Sequence, residues 1–185
     1  MNLRIISGLF GGRFLRLKAG ASRLRPTSER VRESVAAALA PRIQGARVAD
    51  LCAGTGAFGF ELLSRGASFV DFVESDRARI KALRRHVEEF GAHDQCAVHG
   101  MDVRRFLRAA PADYTIVFYD PPYGDDQLAS VVSDALGRVA DGGMLVYEHA
   151  ASRDLRAVCA IPDACTVSSR RYGDTTVSFM TRASG

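Results

Sequence analysis

The sequence predicts an α/β protein in which helices cover both faces of a mostly parallel sheet, with a small β-hairpin in front. Two observations indicate this class. From residue 46 onward, short apolar runs alternate with amphipathic helical stretches, a pattern typical of parallel strands joined by right-handed crossovers. A glycine-rich loop follows the first of these runs and opens a helix, as in sheets that bind nucleotides at the carboxyl ends of their strands.

The predicted strands of the α/β body are apolar runs bounded by polar residues. They are 46–51, 68–74, 96–99, 114–119 and 144–148, and a closing hairpin follows at 164–171 and 175–182. The clearest helix is 76–90, where Asp76 is a candidate N-cap. One face of this helix is apolar and comprises Ile80, Leu83, Val87 and Phe90.

The N-terminal part of the chain differs from the body in pattern and in charge. Runs at 4–7 and 13–18 around Gly8, Gly11 and Gly12 predict a β-hairpin. A helix follows, capped by Thr27 or Ser28 and expected to stop at Pro41. Residues 1–32 hold eight basic side chains and one acid, whereas the remainder holds 17 basic and 20 acidic ones. We therefore divide the chain into a basic extension, 1–44, which is suited to binding polyanions, and a body, 45–185.

Composition excludes several classes of protein. The chain has 185 residues, of which 47% are hydrophobic and 25% charged, values that are typical of a globular domain and not of a disordered chain. No apolar run reaches the length of a membrane span, and the N-terminus lacks the pattern of a signal peptide, so we expect a cytoplasmic protein. The four cysteines form no C-x-x-C pair and the histidines are scattered, so we expect no metal site.

The glycine loop predicts a nucleoside-bearing cofactor. Gly54, Gly56 and Gly59 have the dinucleotide-binding spacing, and Glu74 lies where a carboxylate can accept hydrogen bonds from ribose hydroxyls. Asp50, directly before the loop, would repel a pyrophosphate and suits the cationic amino acid end of S-adenosylmethionine. Asp102 can either bind the adenine edge or cap a helix at 103–110, and the sequence leaves both roles open.

Asp120-Pro121-Pro122-Tyr123, after the apolar run 114–119, is the most informative motif. The prolines lack backbone N–H donors, so the Asp120 carboxylate and the Pro121 carbonyl remain as a row of acceptors. Fixed acceptors suit a substrate that donates, such as an exocyclic amine, and Tyr123 offers a flat face for stacking of a base. We interpret the motif as the catalytic loop of an amino-methyltransferase.

These motifs together resemble the RsmD family of bacterial 16S rRNA guanine-N2 methyltransferases. Five segments carry the resemblance: 4–8 with 12–15, 25–33, 50–56, 120–123 and 172–175. The resemblance implies a Rossmann-like class I methyltransferase fold, with a seven-stranded sheet whose last strand is antiparallel. It also implies that S-adenosylmethionine is the methyl donor and S-adenosylhomocysteine the product. The acceptor would be the N2 amine of the guanine conventionally numbered 966, in 16S rRNA of an assembled or nearly assembled small subunit.

The resemblance also assigns roles to residues. The catalytic residues would be Asp120, Pro121, Pro122 and Tyr123. The cofactor would be held by Asp50, Ala53, Gly54, Thr55, Gly56, Glu74, Ser75, Met101 and Asp102, with Thr27 and Arg30 near its methionine end. The N-terminal hairpin would grip RNA, and the candidate contacts are Arg4, Arg13, Arg16 and Arg25. We expect a monomer that needs neither a metal nor a membrane.

Three alternatives stay open at the level of sequence. A DNA adenine or cytosine amino-methyltransferase would use the same two motifs, although about 44 residues before the body leave little room for a DNA-reading domain. A non-catalytic RNA-binding module could retain the fold, but the intact 120–123 motif argues against it. An NAD-dependent oxidoreductase is favoured only by the glycine spacing.

Overall fold

A computed structural model describes residues 2–16, 28–111, 113–122, 131–155, 161–162 and 165–183. Its strands are β1 (Asn2–Arg4), β2 (Phe14–Arg16), β3 (Arg47–Leu51), β4 (Phe69–Glu74), β5 (Cys96–Gly100), β6 (Tyr114–Tyr119), β7 (Val139–Ala150), β8 (Cys165–Tyr172) and β9 (Thr175–Arg182). Its α-helices are α1 (Glu29–Ile43), α2 (Ala57–Ser64), α3 (Arg77–Phe90), α4 (Val103–Ala109) and α5 (Val131–Leu136). A short 3₁₀ helix, His93–Gln95, precedes β5.

Seven of the described strands form one sheet in the order β5-β4-β3-β6-β7-β9-β8. Strands β3 to β7 are mutually parallel, whereas β9 runs antiparallel to both β7 and β8. This arrangement confirms the expected class I methyltransferase architecture with an antiparallel last strand. The strand order reverses between β3 and β6, and ligands of such sheets bind at the carboxyl ends of the strands next to that reversal.

One apolar cluster lies on each face of the sheet. The larger cluster packs α1, α2 and α3 against one face and also contains Leu3, Ile5, Phe10 and Leu15 of the N-terminal hairpin. The smaller cluster packs α4 and α5 against the other face. These four side chains of the basic extension therefore share a core with the body.

Most predicted elements are confirmed, with informative differences at their ends. Helix α3 begins after Asp76, whose side chain accepts the Arg79 N–H, and α1 begins after Ser28. The expected stop at Pro41 is wrong, because α1 continues to Ile43. A proline removes only its own N–H from the helix, so the last turn can close after it.

β1 begins and ends before the predicted run at 4–7 does, and β2 begins at Phe14, one residue into the predicted run at 13–18, of which residues 17 and 18 lie outside the described ranges. β1 ends at Arg4 because the next segment bonds elsewhere: the N–H groups of Ile6 and Ser7 donate to the Glu61 carboxylate at 2.7 and 3.2 Å. Glu61 lies on α2, is fully buried, and forms an ion pair with Arg65 at 2.7 Å. The hairpin is therefore fixed to α2 by a buried carboxylate.

Ser64, one turn further along α2, completes the attachment. Its hydroxyl accepts the Phe10 N–H at 2.8 Å and donates to the Ser7 carbonyl, while its own carbonyl accepts the Leu9 N–H at 2.8 Å. Gly8 passes so close to Ser64 that a Cβ atom at residue 8 would overlap the Ser64 carbonyl. From the α1 side, the buried Arg32 donates to the Arg4 carbonyl at 2.9 Å.

No helix in the described part of the chain is long and apolar enough to cross a membrane.

The attachment predicts a stability effect for Glu61→Gln. Gln keeps one acceptor oxygen but removes the negative charge that faces Arg65 and lies near Arg32. Because the buried Arg32 then loses a negative charge that stabilises it, we expect the free energy of unfolding to fall by about 3 kcal/mol. Urea denaturation measures this change. Glu33→Gln, on the exposed side of α1, is the matched control, and equal losses in both variants would contradict the role of Glu61.

Candidate active site

Carboxylates lie at the carboxyl ends of four neighbouring strands, at the same edge of the sheet. Asp50 lies in β3, Glu74 ends β4, Asp102 follows β5 and Asp120 follows β6. Backbone pairing brings two of these ends together, because the Asp120 N–H donates to the Leu51 carbonyl at 3.4 Å. These four predicted site residues therefore share the edge beside the strand reversal, which we call the carboxylate edge.

Asp50 is almost fully buried, and its Oδ2 accepts the Gly59 N–H in the first turn of α2 at 3.0 Å. Burial raises the pKa of Asp50 to about 8, the Gly59 N–H opposes that rise, and the nearby Glu74 charge adds to it. A Cβ atom at residue 59 would overlap the Phe72 ring and lie 2.9 Å from Asp50 Oδ2. The last glycine of the spacing motif is thus required for the close approach of helix and strand.

The loop between β3 and α2 is held by its own backbone. Ala53 donates to the Val73 carbonyl at 2.9 Å, and Gly56 donates to the Ala53 carbonyl at 2.7 Å. Gly56 has φ +78°, a left-handed conformation that favours glycine, and α2 begins directly after it. Thr55 is buried, and its hydroxyl accepts the Ala57 N–H at 3.2 Å.

Glu74 ties the loop to the end of β4. Its Oε2 accepts the Gly54 N–H at 2.9 Å, and its Oε1 accepts the N–H groups of Ser75 and Asp76 at 2.8 and 2.9 Å. Arg79 lies 3.7 Å from Oε2. A carboxylate oxygen accepts two hydrogen bonds, so Oε2 retains capacity for a further donor.

Cys52 lies near enough to these carboxylates for their charges to act on its thiol, a position that the motif analysis missed. Burial raises the pKa of its thiol, and the charges of Glu74, Asp120, Asp50 and Asp102 raise it further, in that order. Its φ of +61° is unusual for a residue with a side chain. No sequence signal marks such a conformation, whereas the run of carboxylates after successive strands could have indicated the negative field around residue 52.

The remaining predicted cofactor residues lie around this edge. Asp102 is exposed and caps α4 by accepting the Arg104 N–H at 2.8 Å, so one of its two open roles is confirmed. Ser75 is exposed, and Met101 is half-buried with its N–H on the His99 carbonyl at 3.0 Å. Arg30 is exposed in the first turn of α1.

Some predicted residues have less structural description. Of the catalytic motif, Asp120 is half-buried, Pro121 is buried and Pro122 is exposed, whereas Tyr123 lies outside the described residues. Thr27 and Arg25 also lie outside them. Within the described ranges, no three His, Cys, Asp or Glu side chains are grouped so as to hold a metal ion.

The predicted RNA contacts that the structure describes lie on the hairpin. Arg4 and Arg16 are exposed in β1 and β2. Arg13, just before β2, is also exposed, and its guanidinium lies over the Phe90 ring at 4.2 Å and donates to the Glu89 carbonyl. Arg13 and Arg16 contact α3, whereas Arg4 contacts Glu29 and Arg32 of α1.

Comparison with known proteins covers nearly the whole chain. Residues 3–181 match the family described as Conserved hypothetical protein 95. Ribosomal RNA small subunit methyltransferase D of Escherichia coli (strain K12) is 34% identical over 85% of this chain and 80% of that protein. YlbH of Bacillus subtilis (strain 168) is 32% identical over 96% of this chain and 97% of its own length.

The fold is also found among solved structures. The structure of yhhF from Escherichia coli superimposes with a TM-score of 0.87 at 26% sequence identity, and the match covers all of both chains. Hairpin, sheet and helices therefore recur together in a related protein.

The raised pKa of Asp50 predicts a pH-dependent stability difference from Asp50→Asn. In the folded protein Asp50 keeps its proton up to about pH 8, whereas in the unfolded chain it loses its proton near pH 3.8. The free energy of unfolding therefore declines as pH rises between these values, because only the folded state still binds the proton. Asn does not titrate and can still accept the Gly59 N–H. Relative to the variant, wild type should lose up to about 1.4 kcal/mol of unfolding free energy per pH unit.

Urea denaturation of both proteins at pH 5, 6, 7 and 8 measures this difference. Because all other titrating groups are shared, their effects cancel in the comparison. Parallel pH profiles would show that Asp50 is ionised throughout and would contradict the raised pKa.

Proposed function

This chain belongs to the family described as Conserved hypothetical protein 95, the RsmD family, and from that premise we propose that it is an S-adenosylmethionine-dependent methyltransferase of ribosomal RNA. Its acceptor is the exocyclic N2 amine of a guanine in 16S rRNA of the small subunit. The observation that carries the proposal is the position of Asp120. Its backbone is paired with β3 beside the glycine loop, and its carboxylate is among those that act on Cys52.

The carboxylate edge fits a cationic cofactor and does not fit a dinucleotide. A pyrophosphate at this edge would be repelled by Glu74 and would favour the protonated form of Asp50, whereas an ammonium or sulfonium group would be attracted to Glu74 and would favour the ionised form of Asp50. Asp50 can hold the ammonium end directly or through water, and Glu74 can accept from the ribose through the free capacity of Oε2. Asp102, Met101, Ser75 and the loop backbone at Ala53, Gly54, Thr55 and Gly56 would complete the adenosine site, with Thr27 and Arg30 near the methionine end.

The bound cofactor supplies an electrophilic methyl group, and the catalytic motif orients the acceptor amine. The lone pair of an aromatic amine is delocalised into the ring, which makes the nitrogen a poor nucleophile. If both N–H groups donate to the Asp120 carboxylate and the Pro121 carbonyl, the nitrogen becomes more tetrahedral and its lone pair is directed along the line of displacement. Positioning and electrostatics then supply most of the rate enhancement.

Two neighbours of Asp120 assist this arrangement in the proposal. Pro122 lacks a backbone N–H that could compete for the acceptors. Tyr123 stacks on the extruded base, and such stacking contributes about 1–3 kcal/mol to binding. Extrusion is least costly for a base that is already unpaired in an RNA loop. An assembled subunit that presents such a loop would therefore be a better acceptor than a regular duplex.

The basic hairpin supports an RNA substrate. Arg4, Arg13 and Arg16 are exposed on it, and Arg25 belongs to the same basic segment. Each arginine that neutralises a phosphate releases condensed counterions, so binding should weaken as salt increases.

Transfer of radiolabelled methyl from S-adenosylmethionine to small ribosomal subunits that lack the modification tests the proposal. Wild type should label one guanine, identified by mass spectrometry of nuclease fragments. Asp120→Ala removes one of the two acceptors, so we expect turnover to fall roughly 100-fold or more while cofactor affinity by equilibrium dialysis changes little.

Asp94→Ala, an exposed acid in the 3₁₀ helix, is the matched control and should retain wild-type turnover. Label on DNA adenine or cytosine, with none on subunits, would keep the chemistry but reject the RNA substrate. Absence of label on every acceptor would reject the enzyme and favour an RNA-binding module.

A further inference from the structure

The outward face of the N-terminal hairpin combines an exposed aromatic ring with arginines. Opposite residues of an antiparallel pair share a face, and the register pairs Arg4 with Phe14 and Asn2 with Arg16. These four residues are exposed, whereas the alternate pair, Leu3 and Leu15, is buried against the body. Phe14 therefore lies between two arginines: Arg4 on the opposite strand of the hairpin, and Arg16 two residues further along its own strand.

The exposure of Phe14 is not explained by packing. Its side chain is 48% exposed, and it is absent from both apolar clusters. Leu9 and Val167 are the other large hydrophobic side chains exposed in the described ranges, and neither is aromatic. An aromatic ring on a ribbon that is otherwise well packed is the most suitable of the three for stacking against a flat ligand.

The backbone beneath this face is fixed before any ligand binds. The Arg16 N–H donates to His86 Nε2 at 3.1 Å, and the Arg85 guanidinium donates to the Arg16 carbonyl. Behind the ribbon, Glu61 and Ser64 hold the connecting loop to α2. A rigid platform loses little conformational freedom on binding, so more of the contact energy contributes to affinity.

The charges favour a nucleic acid over an apolar partner. The two strands contain three exposed side chains that can contact phosphate or base, Asn2, Arg4 and Arg16, and no acid. Arg4 forms an ion pair with Glu29 at 4.0 Å, and the side chains of this pair are about half exposed. Such surface pairs contribute little, so Arg4 can exchange Glu29 for a phosphate at small cost.

We propose that Phe14 stacks on an unpaired base of the RNA substrate while Arg4 and Arg16 bind the phosphates that flank it. Single-stranded RNA is recognised by this combination, since every base offers a π face and the backbone supplies the charge. The inference rests on the proposed function, because it takes RNA as the ligand. It adds a base-binding position on the hairpin, separate from the catalytic motif at the strand ends.

Fluorescence anisotropy with a 12-nucleotide single-stranded RNA, at several salt concentrations, tests the proposal on the full chain. Phe14→Leu keeps an apolar side chain but removes the ring, so affinity should fall about 5- to 150-fold with an unchanged salt slope. Phe14→Trp keeps an aromatic ring and should bind the RNA with an affinity close to that of wild type. Arg16→Ala should instead reduce the salt slope by about 0.7, the value for one phosphate contact on a single strand.

Val167→Ala, an exposed apolar residue on β8, is the control and should leave affinity unchanged. With small subunits as methyl acceptor, Phe14→Leu should raise KM and leave kcat within twofold of wild type. Equal affinity and equal KM in wild type and Phe14→Leu would overturn the proposal that Phe14 stacks on a base. Methyl transfer by wild type would still support the proposed function in that case. Absence of methyl transfer to RNA in wild type would instead reject the proposed function.

Discussion

The hydrogen bond between the Asp50 carboxylate and the Gly59 N–H determines how the rest of the site is arranged. It joins the end of β3 to the first turn of α2, and both residues are buried. Because residue 59 lacks a Cβ, the helix comes close enough for this bond to form. The loop between them must then turn sharply, which accounts for the left-handed conformations of Cys52, Gly54 and Gly56.

Helix α2 transmits this constraint to the N-terminal hairpin. Its first turn is fixed by Asp50, and its last turn carries Glu61 and Ser64, which hold the hairpin loop. The helix has only eight residues, so it is about 12 Å long and has little freedom to bend. The candidate cofactor loop and the candidate RNA-binding ribbon are therefore connected by one short rigid element, and the position of one sets the position of the other.

The sequence predicted the body of the fold well, because apolar periodicity and glycine spacing are local signals. The helix after Asp76, the loop at 54–59 and the acids after successive strands all lie where the patterns indicated. Local signals could not reveal contacts between distant segments. Nothing near Ile6 indicates that its N–H bonds to Glu61, 55 residues away, and this contact ends β1 early.

The same limit applies to the site. The position of Cys52 among four carboxylates depends on the alignment of four strands, and the exposure of Phe14 depends on which face of the hairpin packs on the body. Pro41 shows the opposite error, in which a strong local signal was overridden by the packing of Ile43 in the core. The cofactor, catalytic and RNA-binding roles of all the predicted site residues stay predictions.

The central claim is that a carboxylate-lined edge binds a cationic cofactor, and the linkage between cofactor binding and the proton on Asp50 tests it most directly. At pH 6.5 the free protein holds that proton, since the pKa of Asp50 is about 8, and a bound cation should displace it. Titration calorimetry of S-adenosylmethionine in buffers of different ionisation enthalpy should show net proton release in wild type and none in Asp50→Asn. Binding without any release in wild type, or equal release in both proteins, would contradict the account.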